Sequence, residues 1–220
     1  MSENSTDMSI ILSEPNPDSI ANLHSFFQKM PIRYQIISVS PDESSLKNIS
    51  PSIFTSSYLE ATEKLTGKLV FWMHSDFEVP LAEVISFIAR FYENPEVQVL
   101  FGDRFSRPKK MSAPELKSDR AFRLAVEFLA RLVLGLESQD LLCPFIAFRS
   151  EVANQILSNI KNMNSAGIEQ RLRVKSLGMK FQILPVLRTA VSSRTFGSFQ
   201  MLSRFLKKIF EILSLKLREH

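Results

Sequence analysis

Lys68-Leu-Val-Phe-Trp-Met-His-Ser-Asp-Phe-Glu-Val-Pro80 decides how this 220-residue chain is read. The apolar run Lys68–Met73 has the length and composition of a strand buried on both faces. It passes without a break into the polar His74-Ser-Asp-Phe-Glu78. Pro80 then stands where a helix can begin, because its fixed φ suits a first turn and its missing N–H costs nothing there. A buried strand, a polar segment at its carboxyl end and a helix make up one unit of a mostly parallel sheet. Ligands gather at that end of the strands.

The same unit recurs on both sides. Upstream, Met8–Ser13 is a short apolar run closed by Glu14-Pro-Asn-Pro17. Asp18 or Ser19 can cap a helix to about Lys29, with Ile20, Leu23, Phe26 and Phe27 on one face. Tyr34–Val39 is a strand rich in β-branched residues. Residues 48–55 hold a short strand, and Ser57–Thr66 reads as a helix stopped by Gly67. Downstream, Leu81–Tyr92 has helical periodicity, Val97–Phe101 reads as a strand, and Asp119–Leu136 is a long amphipathic helix. Pro144–Phe148 reads as a strand and Ser150–Ile160 as a helix. Ile168–Leu177 is a helix closed by Gly178, Lys180–Leu184 a strand, and Phe199–Leu217 a final amphipathic helix. The expectation is a single α/β domain: a mostly parallel central sheet with helices on both faces, plus the C-terminal helix. Its segments are 1–7 as a disordered start, 8–198 as the domain and 199–220 as a basic amphipathic helix.

Composition limits the function classes. The chain is 45% hydrophobic and 23% charged, which excludes a disordered or collagen-like chain. The single cysteine, Cys143, excludes an internal disulfide framework and a multi-cysteine zinc site. No apolar stretch reaches the roughly 18 residues of a membrane-spanning helix. The start, Met1–Met8, lacks a basic-then-apolar signal. The expected location is therefore the cytoplasm. The net charge of +4 divides unevenly, as 6 Lys+Arg against 13 Asp+Glu in residues 1–100 and 21 against 10 in residues 101–220. A second half at +11 points to phosphates or an anionic surface. Nucleic acid is a poor partner for it, because the basic residues do not alternate with aromatics and no recognition motif is present.

Taken in order, five stretches carry a resemblance: Ile10–Asn16, Ile36–Ser44, Phe71–Pro80, Val99–Phe105, and the closing set Ile168-Glu-Gln-Arg171, Ser176–Pro185 and Arg194-Thr-Phe-Gly-Ser198. The chain resembles the family 2 glycosyltransferases, and within them the polyprenol-phosphate mannosyl and glucosyl transferases, over roughly residues 8–200. The resemblance implies a nucleotide-sugar fold of the GT-A type and transfer of a sugar from a nucleotide-sugar donor to a lipid-phosphate or glycan acceptor. Polyprenol phosphate is one such lipid-linked acceptor. It implies Ser40, Asp42, Asp76, Arg104, Arg194 and Ser198 as donor-binding residues. It implies Asp140 and Glu169 as catalytic residues beside the transfer centre, and places Arg120 and Arg123 near an acceptor phosphate. The sequence departs from the family in four places. His74 stands where the family has its first metal aspartate, and Pro144 stands for a glycine. The acidic pair after the second strand is reduced to Asp42, and the segment from Ser44 to Ser57 is short for the family's helix.

The chemistry of such a transfer demands positive charge on a departing diphosphate. His74, Asp76 and Glu78 alternate at i, i+2 and i+4, so on a continuing strand they share one face. An imidazole with two carboxylates suits Mn, and oxygen ligands alone would suit Mg. Arginines neutralise phosphate by planar bidentate contacts. A phosphate acceptor is already ionised and needs no general base. The helix 199–217 either docks on the domain's own core or lies on an anionic membrane, which would bring the protein to the inner face of the membrane. The other reading is a non-catalytic relative that keeps the fold and binds a partner or a membrane surface.

Overall fold

A computed structural model describes residues 6–39, 53–55, 57–76, 79–106, 117–136, 140–158, 166–189 and 198–218. Its seven strands are β1 (Met8–Ser13), β2 (Tyr34–Val39), β3 (Ile53–Thr55), β4 (Leu69–His74), β5 (Val99–Asp103), β6 (Ile146–Arg149) and β7 (Phe181–Pro185). They form one sheet in the order β3-β2-β1-β4-β6-β5-β7. β1 pairs in parallel with β4, Ile10 opposite Phe71 and Ser13 opposite His74.

The sheet is parallel except at β6, which runs antiparallel to both β4 and β5. Two strands that each oppose a third run parallel to one another. The carboxyl ends of β4 and β5 therefore lie at the same sheet edge, together with those of β1, β2 and β7. That edge collects the polar residues that follow each strand.

Helices cover both faces, as the unbroken burial of β1 requires. Ile10 and Leu12 pack with Ile20, Leu23 and Phe27 of α1 (Pro17–Phe27) and with Val84 and Phe87 of α3 (Glu83–Glu93). Ile11 faces the other way, with Tyr58 and Ala61 of α2 (Tyr58–Glu63) and Ile156 and Leu157 of α5 (Ala153–Leu157). A third cluster joins Val126, Ala130 and Leu134 of α4 (Lys117–Leu134) to Ile168 and Leu172 of α6 (Ala166–Ser176) and to Ile212 and Leu215 of α7 (Ser198–Arg218).

Several local readings change. The cap of α1 is Asn16 rather than Asp18 or Ser19: its Oδ1 accepts from Ser19 N at 2.7 Å and the Ser19 hydroxyl pairs back to Asn16 N, a reciprocal box. Gly67 does not stop the preceding helix, which ends at Glu63. A Cβ on Gly67 would collide with the backbone of Met8 and Ser9, so glycine is needed there for close approach to β1. The helix expected over 150–160 is a 3₁₀ turn, Ser150–Val152, followed by the short α5. Gly178 does close α6, at φ 62° with Met179 N donating to Val174 O. Within the expected loose start, Asp7 is tied to Arg33 by an ion pair of 3.2 Å.

Candidate functional site

Two charged groups stand on the carboxyl edge. The first follows β4. His74 Nδ1 lies 3.2 Å from Asp76 Oδ2, and its Nε2 lies 3.4 Å from Glu14 Oε2. Glu14 follows β1 directly and has φ 51°, a left-handed conformation that costs a side-chain-bearing residue roughly 1–2 kcal/mol. Such strain collects where function over-determines the backbone. The hydrogen bond to Asp76 holds the His74 imidazole above its ordinary pKa against the opposing effect of burial, with the charges of Asp76 and Glu14 assisting. Beneath this group, the buried Ser13 hydroxyl takes the Trp72 indole N–H at 2.5 Å and pairs with the Tyr58 hydroxyl at 2.9 Å, which fixes the end of β1.

The second group follows β5. Asp140 is fully buried and accepts from Arg104 three times: from Nε and Nη2 at 2.8 Å each, and from the backbone N at 3.0 Å. Burial alone would push the Asp140 carboxyl up, but the charge and hydrogen bonds of Arg104 outweigh it and hold the carboxyl below its usual value. Arg171 on α6 donates through Nη2 to the carbonyls of Asp140 at 2.7 Å and Gly102 at 3.3 Å. Its guanidinium carbon lies 4.2 Å from the centre of the Phe101 ring. Arg171 is held by carbonyls and a ring, with the charges of Asp140 and Asp103 acting on it from nearby. Gly102 lets the layers meet: a Cβ there would lie 3.0 Å from Cys143 Sγ and 3.1 Å from Phe145 O. Burial pushes the Cys143 thiol up to about 12, which makes it an inert buried residue.

The two groups feel each other, since the Asp76 charge reaches Arg104. Beside them, Asp103 accepts from the backbone of Phe105 at 2.8 Å and of Ser106 at 3.1 Å, which closes the turn after β5. Arg123 of α4 stacks 3.5 Å above the Phe105 ring. Its Nη1 donates to Glu127 Oε2 at 3.0 Å. Burial pushes the Glu127 carboxyl up to about 7, with Arg123 opposing.

The structure thus gathers His74, Asp76, Arg104 and Asp140 at one edge, and Arg123 stands beside Phe105 in the turn that follows Arg104. Glu169 is buried on α6, two residues before Arg171. Ser40, Asp42, Glu78 and Arg194 lie outside the described residues, and Ser198 is described only as the first residue of α7. Sequence reasoning missed Glu14, Glu127 and Arg171. The Arg123–Glu127 spacing of i, i+4 was a usable signal. Glu14 becomes a neighbour of His74 only through the β1–β4 register.

No family model and no curated protein matches the chain. Solved structures do. Glucosyl-3-phosphoglycerate synthase from Mycobacterium tuberculosis, in complex with Mn2+, uridine diphosphate and phosphoglyceric acid, is similar at a TM-score of 0.62 and 13% identity over 96% of this chain and 78% of that one. The same enzyme with Mn2+, UDP-glucose and glycerol 3-phosphate gives 0.56 and 12% over 96% and 80%. The chain has a GT-A-like glycosyltransferase fold. A further mycobacterial protein is similar at 0.62 and 14%, over 96% of this chain and 74% of that one. At these identities the likeness concerns the fold.

The two complexes of the synthase hold Mn2+, so the donor set of this chain can be compared with that ion. Among the described residues, no three of His, Cys, Asp and Glu are disposed to hold a metal ion. Both ring nitrogens of His74 already face carboxylates, and Glu78, the third expected ligand, is outside the described residues. The described part of the site therefore presents an imidazole paired with two carboxylates.

Proposed function

We propose that this chain is a glycosyltransferase that moves a sugar from a nucleotide-sugar donor to an acceptor bearing a phosphate, a lipid phosphate or a glycan. The observation that carries the reading is Arg104, locked by Asp140 at the carboxyl edge beside the His74–Asp76 pair. A departing nucleoside diphosphate gathers negative charge. A guanidinium already held in place stabilises that charge without reorganising at the moment of reaction. With both oxygens on Arg104, Asp140 positions the guanidinium and takes no proton. His74, its pKa raised by Asp76, stands at the same edge, and Arg194, Ser198, Ser40 and Asp42 are assigned as the remaining donor contacts. An acceptor phosphate carries its own charge, so no base need act on it, and a glycan hydroxyl would turn to Glu169. The described residues form no cation cage. Mn and Mg are therefore arms of the assay, and no step here runs through them.

The test is release of nucleotide from a panel of nucleotide sugars, with and without Mn or Mg, for the wild type and Arg104→Ala. The reading expects release from at least one donor, and its loss in the variant. A second reading has a specific observation behind it: the ion pairs His74–Glu14 and His74–Asp76 close the edge without any ligand, as in a non-catalytic relative. No release from any donor, together with no rise in melting temperature at millimolar UDP or GDP, would establish that relative instead.

A further inference from the structure

Helix α7 settles on the domain with one face and leaves the other bare. Ile212 and Leu215 are buried against α4 and α6. Leu206, Phe210, Leu213 and Leu217 form a stripe at i, i+4, i+7 and i+11, with Phe210 71% and Leu217 78% exposed. At about 100° per residue these four fall within one narrow sector, roughly opposite the buried pair. Helix α4 repeats the arrangement: Val126, Ala130 and Leu134 are buried, while Leu124, Phe128 and Leu132 are exposed. Exposed large side chains in such a row mark an interaction surface.

We infer that the outer stripe of α7, with that of α4 beside it in the same helical layer, docks the protein on an anionic lipid surface. Charge selects the occupant. Helix α7 carries Arg204, Lys207, Lys208, Lys216 and Arg218 against one acid, Glu211. By helical geometry Lys207 and Lys216 fall about 90° to either side of the stripe, where long side chains reach headgroups while the stripe enters the acyl boundary. Arg120 and Arg131 stand exposed on α4. A second copy packed stripe to stripe would bring these cations against their equals, whereas an anionic surface attracts them. The 21 residues of α7 are about 30 Å long, yet no described helix is apolar enough to cross a membrane, so α7 lies on the surface. None of this depends on the transferase reading, and the experiment contains no nucleotide.

The full chain is sedimented with vesicles of phosphatidylcholine alone and of phosphatidylcholine mixed with phosphatidylglycerol, at low and high salt. The expected result is binding to the mixed vesicles that weakens with salt. Phe210→Asp and Leu217→Asp each lower it about tenfold, and Lys207→Glu lowers it at low salt. Leu59→Asp, at an exposed leucine on α2, leaves it unchanged. All four positions are exposed, and unchanged melting temperatures confirm that the variants fold. No binding to either vesicle overturns the inference, as does equal binding to both. A dimer in light scattering that Phe210→Asp dissociates, without vesicle binding, assigns the stripe to a second copy.

Discussion

Glu127→Gln isolates the one described carboxyl that burial pushes up to about 7, from an ordinary 4.5. In the unfolded chain this group releases its proton near 4.5, and in the fold it holds the proton to about 7. Between those values the native state binds more protons than the unfolded state, so stability falls as pH rises. The contribution is complete below about 4.5, lost progressively across the window, and constant above about 7. The full span of about 2.5 pH units corresponds to at most about 3 kcal/mol. Glutamine keeps the volume and an acceptor for the Arg123 guanidinium, which lies 3.0 Å from Glu127 Oε2, but it cannot ionise. The variant should match the wild type near pH 4.5 and exceed it at pH 8 by up to about 3 kcal/mol. Urea denaturation of both proteins at the two pH values measures the difference of differences, in which every other titrating group cancels. A gap between variant and wild type that is the same at both pH values refutes the reasoning, because Glu127 would then ionise in the fold as it does in water.

Other outcomes follow from the same geometry. Asp140→Asn leaves Arg104 and Arg171 buried without their acid and should cost about 3 kcal/mol or more by denaturation at pH 7. In the wild type the Asp140 contribution is present above its ordinary 3.8 and disappears as pH falls through the lowered native value, so the gap to the variant should close in acid. His74→Asp would place three carboxylates together at the ends of β1 and β4. Its melting temperature should fall in chelator and rise again with Mn or Mg, and a melting temperature indifferent to metal would show that no cation site had been created. Gly67→Ala sets a Cβ against the Met8 and Ser9 backbone, which cannot yield as a side chain would, and should cost about 3 kcal/mol in thermal unfolding. Asn16→Ala removes the α1 capping box and should cost about 1 kcal/mol in the same assay.

The sequence by itself determined the elements and the kind of sheet. The buried strands at residues 8–13, 34–39, 69–74 and 99–103 are legible because a strand covered on both faces reads as a nearly continuous apolar run, and that needs no partner to be seen. Their alternation with amphipathic helices leaves few topologies other than a mostly parallel α/β domain. Arg104 and Asp76 were legible as site residues for the same reason, since each closes a strand at the ligand-bearing end. Tertiary structure decided what pairs with what. The β1–β4 register brings Glu14 to His74, so that the imidazole faces carboxylates from two separate segments. The antiparallel β6 between β4 and β5 leads the chain back to bury Asp140 under Arg104, 36 residues away in sequence. The double face of α7, docked on one side and bare on the other, follows from where the apolar surface of α4 and α6 ends. Local pattern records how strongly a side chain avoids water. Which charge neutralises which depends on distances between elements far apart in the chain, and those exist only once the sheet has closed.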